Sequence, residues 1–328
     1  MKPTDPALFF TRHDPEDPRL GEWVRPLAWD ATLEASLAEE STVIIGWPDD
    51  EGIRLNGGRP GAALAPSRIR KFLYRMTPDR GPNQNLFDGG DLDITMPGSL
   101  LERHAEARKS AIRVLRTGAK LITLGGGHDF GYPDAASFCE IIGEPQPGDR
   151  VSTPRYKPLV LNFDAHLDVR PLDHRGPNSG SPFFRLLSEF NSIDFVEIGI
   201  QRQCNSKMHE RWLTDRGARI VSYDEMASAS SYWDVLHDRV GDWVLKRRPA
   251  FVSVDIDAFS SAIAPGCSQS WATGLDIGQF LFCFRALLAR LDVVGLGLYE
   301  VSPELDSDDR TSKLAAQIAY EFLFPGEC

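Results

Sequence analysis

Short apolar runs rich in β-branched residues recur along the chain and restrict its fold more than any other feature: residues 43–46, 121–124, 159–163, 195–200, 220–222, 251–254 and 293–299. Runs that are apolar on both faces suit strands of a sheet covered on both sides, the habit of parallel sheets. Amphipathic stretches of helical period lie between them. In residues 276–291, Ile277, Phe280, Leu281, Phe284, Leu287, Leu288 and Leu291 share one stripe. Ser99 and Glu102 form a capping-box signature, after which Leu101, Ala105, Ile112 and Leu115 are expected to face the core and Gly118 to stop the helix. Further helices are expected over 205–216, 232–246 and 311–324, with an acidic one over 31–40. This alternation predicts an α/β fold: a three-layer α/β/α sandwich around a mostly parallel sheet of about eight strands. Residues 1–328 read as a single domain, 1–40 as an extension packed on it, and the proline-rich stretch 143–158 as a surface insertion.

Charge and cysteine usage narrow the function. Thirty-six Lys and Arg against 47 Asp and Glu give a net charge of −11, which disfavours nucleic acid and anionic membrane as partners. Cys139, Cys204, Cys267, Cys283 and Cys328 are scattered without a C-x-x-C pair, against a disulfide framework or a thiolate zinc site. No stretch reaches 18 apolar residues and no apolar run follows a basic start, so a soluble cytoplasmic protein is expected.

Three of the strand-like runs end in side chains that bind metals. Residues 159–163 lead into Asp164, His166 and Asp168, which alternate and so point the same way from an extended backbone. Residues 251–254 lead into Asp255 and Asp257, and 121–124 into Gly125-Gly126-Gly127-His128-Asp129. A lone Asp-x-Asp is ordinarily a solvated turn. Three such ends in one chain point instead to a shared pocket at the carboxyl edge of the sheet, where open α/β sheets bind ligands. Converging aspartates without a counter-charge would force one another to stay protonated. Two divalent cations would cancel four carboxylate charges, and an oxygen-rich set with two imidazoles and no thiolate suits Mn²⁺, with Fe²⁺, Ni²⁺ or Co²⁺ as alternatives.

In order and spacing, Gly-Gly-Gly-His128-Asp129, Asp164-Ala165-His166-Leu167-Asp168 and Ser253-Val254-Asp255-Ile256-Asp257 resemble the signature of the ureohydrolases, the arginase and agmatinase family. The resemblance extends from about Asp50 to Phe324. It implies a pair of Mn²⁺ ions and hydrolysis at a C=N carbon. His128 and Asp168 would hold one ion, His166 and Asp257 the other, with Asp164 and Asp255 bridging. Glu300, in a stretch similar to the family's Glu-Val-Asn-Pro, would face a cationic amidine or guanidine. Asp257 would return a proton to the leaving nitrogen, with solvent or His174 as further carriers. Within the family, residues 50–62, Arg170 after Asp168, Ser179-Gly180-Ser181-Pro182-Phe183 and Asp309-Arg310-Thr311 lean towards the formimidoylglutamase branch. That branch implies hydrolysis of N-formimidoyl-L-glutamate to L-glutamate and formamide in histidine degradation. Arg170, Ser179, Asn56 and, at second rank, Arg54 and Arg59 are the expected contacts to an acidic small-molecule substrate, since a guanidinium fork suits a carboxylate. An agmatinase or other guanidino hydrolase releasing urea, and a metal-binding but idle regulatory protein, are the alternatives. The chain departs from the family's Asp-x-Asp-x-x-Asp-Pro run at Ser260-Ser261, and its Cys267–Trp271 segment differs as well. Trimers or hexamers of one chain are what the resemblance implies for assembly.

Overall fold

The computed structural model describes residues 1–79, 85–95, 98–143, 157–244 and 247–326. Most of the 143–158 stretch therefore lies outside the described residues. Nine strands form one sheet: β1 (Arg25–Pro26), β2 (Thr42–Gly46), β3 (Leu86–Asp91), β4 (Lys120–Leu124), β5 (Leu159–Phe163), β6 (Asp194–Ile200), β7 (Arg219–Ser222), β8 (Pro249–Asp255) and β9 (Asp292–Tyr299). Their order is β1-β3-β2-β4-β9-β8-β5-β6-β7, and every pairing is parallel. Successive residues of each strand serve opposite cores. Ile44, Ile122, Leu161, Val252 and Leu296 pack with helices Ala65–Leu73, Tyr232–Val244, Ile277–Arg290 and Arg310–Leu323. Val43, Leu121, Val160, Phe195 and Phe251 pack with Leu100–Leu115, Gly131–Gly143 and Pro182–Glu189. That is the expected three-layer sandwich, with nine strands where about eight were expected.

Two strands escape the apolar-run criterion. β3 reads Leu-Phe-Asp-Gly-Gly-Asp, and β1 contains a proline. Asp88 of β3 is nonetheless buried, because Arg70 reaches it with Nε at 2.9 Å and the Thr4 hydroxyl donates to it at 2.8 Å. Removing one partner from such a buried pair typically costs about 3–5 kcal/mol. Lys2 also makes an isolated antiparallel bridge to Asp91, the last residue of β3, with backbone hydrogen bonds of 2.7 and 2.8 Å, which ties the first residues to the sheet. The acidic helix expected over 31–40 shrinks to one turn, Leu33–Ser36.

Helix Ile277–Arg290 starts where expected: Asp276 caps it by accepting from the Gln279 amide at 2.9 Å, worth about 1 kcal/mol. The Ser99 capping box also forms, but the buried face of its helix is Leu100, His104, Ala107, Ala111, Val114 and Leu115. Leu101 is 53% exposed, so the core stripe is rotated from the expected Leu101, Ala105 and Ile112. His104 explains the rotation. Its Nε2 meets the Asp129 carboxylate at 2.7 Å and its Nδ1 meets Arg185 at 2.8 Å, which lets a polar ring lie in the core.

Candidate metal centre and substrate cleft

Four central, adjacent strands (β4, β9, β8 and β5) end on the same edge of the sheet, and each delivers part of one site. The turn after β4 carries His128, β5 leads to Asp164, His166 and Asp168, β8 ends in Asp255 with Asp257 just beyond, and Glu300 follows β9. Asp168 and Glu300 adopt left-handed backbone, at φ 47° and 64°. Such strain in a residue other than glycine costs of order 1–3 kcal/mol and gathers at functional sites.

His128, Asp164, Asp168 and Asp255 form one group of potential ligand atoms, and Asp164, His166 and Asp257 a second. The His128 Nδ1 atom lies 3.1, 3.0 and 3.2 Å from carboxylate oxygens of Asp164, Asp168 and Asp255. His166 Nδ1 is 3.1 Å from Asp257 and 3.5 Å from Asp164. Asp164 is thus common to both groups, whereas Asp255 joins the first alone. Its Oδ1 atom accepts from the Asp257 amide at 2.9 Å.

These donors fit a pair of divalent cations. His128 Nε2 is 2.9 Å from the Ser253 hydroxyl, which fixes the ring, while the buried Nδ1 makes no hydrogen bond despite its three carboxylate neighbours. Asp257 Oδ1 is likewise buried without a partner. Either a proton or a cation has to sit among these atoms. Burial opposes charging His128, yet Asp164, Asp168 and Asp255 overcome it and raise its pKa well above the ordinary range. Burial and the neighbouring Asp257 and Asp164 raise Asp255 strongly, and burial pushes Asp257 up to about 6. Asp164 goes the other way: burial opposes its charge, but His128 and His166 hold it below the usual carboxylate range. Two unit charges of like sign about 4 Å apart repel by roughly 4 kcal/mol at an effective dielectric of 20. Positive charge placed among the carboxylates turns that cost into attraction.

Above the two groups opens a cleft of about 250 Å³ lined by His166, Asp168, Asp255, Asp257 and Glu300 on its floor. Arg170, Asn56 and Ser179 form part of its wall. They are chained: Arg170 Nη1 donates to Asn56 Oδ1 at 2.6 Å, and Asn56 Nδ2 donates to the Ser179 hydroxyl at 3.0 Å. Glu300 is 5% exposed, accepts from the His128 amide at 3.0 Å, and has a pKa raised well above the usual range by burial, Asp255 and Asp257.

Arg54, Arg59 and His174, expected near the substrate, are not among the residues that line the cleft. Arg54 points away to a separate depression beside Arg103, and pairs with Asp50 at 2.7 Å, four residues back on its own helical turn. His174 lies in an exposed loop outside the lining. Arg59 serves another purpose: its guanidinium donates to the carbonyls of Cys267 and Ser268 at 2.9–3.1 Å. That clamp orders the segment after Ser260-Ser261 and brings Ser268, Gln269 and Trp271 to the cleft wall. The sequence marks the Cys267–Trp271 segment only as a departure from the family's pattern, and Cys204, also on the wall, only as one of five scattered cysteines. No motif marks them, and their placement depends on carbonyls that any residue supplies.

Comparison with known proteins agrees with the geometry. Formimidoylglutamase of Geobacillus thermodenitrificans is 28% identical over 285 residues, covering 87% of this chain and 84% of the relative. The crystal structure of Trypanosoma cruzi formiminoglutamase with Mn²⁺ is 29% identical, with a TM-score of 0.75 over 94% of this chain and 97% of that one. Proclavaminate amidino hydrolase from Streptomyces clavuligerus is 28% identical, with a TM-score of 0.71 over 88% and 92%. Residues 40–324 match the Arginase family model, and with the ligand-bearing strand ends inside that span the chain belongs to the arginase family.

Proposed function

We propose that this chain hydrolyses N-formimidoyl-L-glutamate to L-glutamate and formamide, and that His128, Asp164, His166, Asp168, Asp255 and Asp257 would hold the two Mn²⁺ ions this takes. The observation that carries the reading is the convergence of two ligand groups, sharing Asp164, beneath a cleft with Arg170 on its wall. The names of the relatives above support the substrate. When bound, such a pair of ions lowers the pKa of water and polarises a C=N carbon.

The protein groups divide the remaining work. The Glu300 carboxylate faces the cleft and attracts a cationic amidinium, whose charge restores the ionised form that burial disfavours. Asp257, on the cleft beside His166, can accept the proton that the attacking water gives up and pass it to the departing nitrogen of glutamate. Ser179 does not titrate in this range. Arg170 offers its guanidinium to a substrate carboxylate, with Asn56 holding it in place.

Arg170→Ala is expected to weaken acidic substrates by about 1.5–3 kcal/mol and neutral amidines far less, since only the former lose a charge-assisted pair. Steady-state kinetics on both classes checks it, and equal losses would remove Arg170 as the anchor. Mn²⁺ uptake should weaken as pH falls through about 6. Asp257, raised to about 6, is then protonated, and His128, His166 and Asp255, each raised well above its ordinary range, hold protons as well, all of which must leave before cations bind. Calorimetric titrations at pH 5 and pH 7.5 with equal affinity would contradict this.

The resemblance to proclavaminate amidino hydrolase supports a second reading, a guanidine hydrolase releasing urea. A panel of N-formimidoyl-L-glutamate, agmatine and guanidino acids decides between them: kcat/KM should be highest for the first, and preference for a guanidine would overturn the proposal. The reading includes a single domain over residues 1–328, to which Thr4 and Lys2 bind the extension, and assembly as trimers or hexamers. It also includes a reducing cytoplasm, in keeping with the free thiols of Cys139, Cys204, Cys267 and Cys283. No helix among the described residues is long and apolar enough to cross a membrane.

A further inference from the structure

Tyr299, the last residue of β9, lies face to face with the His128 imidazole, with ring centroids 4.9 Å apart and planes 23° from parallel. Phe183 meets the same imidazole edge-on at 5.4 Å, and Ser253 holds Nε2. The Tyr299 hydroxyl is itself anchored. It donates to Asp134 Oδ2 at 2.6 Å, and that carboxylate also accepts from Thr123 Oγ1 at 2.6 Å and Trp47 Nε1 at 3.0 Å. Asp134 is fully buried, a costly place for a carboxylate, and these three partners are neutral donors.

A ring that only filled volume would need none of this, because phenylalanine would serve. The backbone is cleared for the phenol as well. A Cβ at Gly297 would stand 2.0 Å from the Tyr299 oxygen, and one at Gly125 2.3 Å from its Cδ1. One residue of β9 and the first residue after β4 therefore lack side chains where the anchored ring lies on His128.

We infer that Tyr299 and Asp134 are positioning residues for the first metal site: the anchored phenol fixes the plane of His128 so that Nδ1 faces Asp164, Asp168 and Asp255. Neither residue lines the cleft, so they act through His128. The inference rests on His128 being a metal ligand, as proposed above.

The test is titration of metal-free protein with Mn²⁺, followed by calorimetry and electron paramagnetic resonance, with thermal unfolding recorded in parallel. Wild type should take up two ions as a spin-coupled pair. Tyr299→Leu should keep one at wild-type affinity and bind the other about 10–100-fold more weakly, the usual effect of losing a group that orients a ligand, with the signal of isolated Mn²⁺ appearing. Asp134→Asn should move the same site in the same direction. Should Tyr299→Leu not fold, Tyr299→Phe, which keeps the ring and loses only the anchor, decides by the same selective weakening. Folded variants that bind both ions as wild type does, or lose both equally, overturn the inference. Wild type that takes up no Mn²⁺ overturns the two-metal reading itself.

Discussion

Asp164→Ala is expected to lose both metal ions and all measurable turnover. Asp164 is fully buried and is the one side chain common to the two ligand groups. It also carries the negative charge that His128 and His166 hold in place. Groups that merely orient a ligand cost 10–100-fold in metal affinity when removed, so deletion of a shared ligand should exceed that range at each position. Asp255 provides the contrast. It faces His128 and belongs to the first group alone, so Asp255→Ala should release the first ion preferentially. Elemental analysis of the two purified variants separates these outcomes. Two ions per chain in Asp164→Ala would be incompatible with the assignment.

Glu300→Gln should leave both ions in place and reduce kcat/KM by about 10²–10³-fold, the range seen when one preorganised electrostatic partner of the transition state is removed. The amide keeps the shape and can still accept from the His128 amide, so backbone geometry at φ 64° is preserved while the charge is lost. Metal content and kinetics measured on one preparation check it. Unimpaired turnover would show that Glu300 does not hold the substrate's cation.

The ligands were legible because they obey a local rule. Asp164, His166, Asp168, Asp255 and Asp257 all fall within five residues of the end of an apolar run, although turns rather than extended strand project most of them: Asp168 lies past β5 at φ 47° and Asp257 in the single turn Ile256–Ala258. That four such ends lie side by side was not readable from spacing; it comes from the strand order β4-β9-β8-β5. β3 stayed hidden because its Gly-Gly-Asp composition disfavours strands, and it takes side chains distant in sequence, Arg70, Tyr74 and Thr4, to make Asp88 bearable inside. The face of the Leu100–Leu115 helix was misjudged for a similar reason. A histidine counts as polar until Asp129 and Arg185 satisfy both of its nitrogens. Arg54 was overvalued since a basic residue beside a Gly-rich loop looks available, although Asp50 lies four residues before it on the same turn. Tyr299 reads as one more apolar residue of β9, and its bond to Asp134 joins residues 165 apart in sequence.

The most direct test of the account is product identification with Mn²⁺-loaded protein and N-formimidoyl-L-glutamate. Two bonds to the formimidoyl carbon could break. Cleavage towards glutamate yields L-glutamate and formamide, and cleavage of the terminal nitrogen yields ammonia and N-formylglutamate. With the Glu300 carboxylate against the terminal amidinium nitrogen and Asp257 delivering a proton to the leaving amine, glutamate and formamide are expected in equal amounts, with the oxygen of labelled water in the formamide. Ammonia with N-formylglutamate, or no turnover by protein holding both ions, would contradict it.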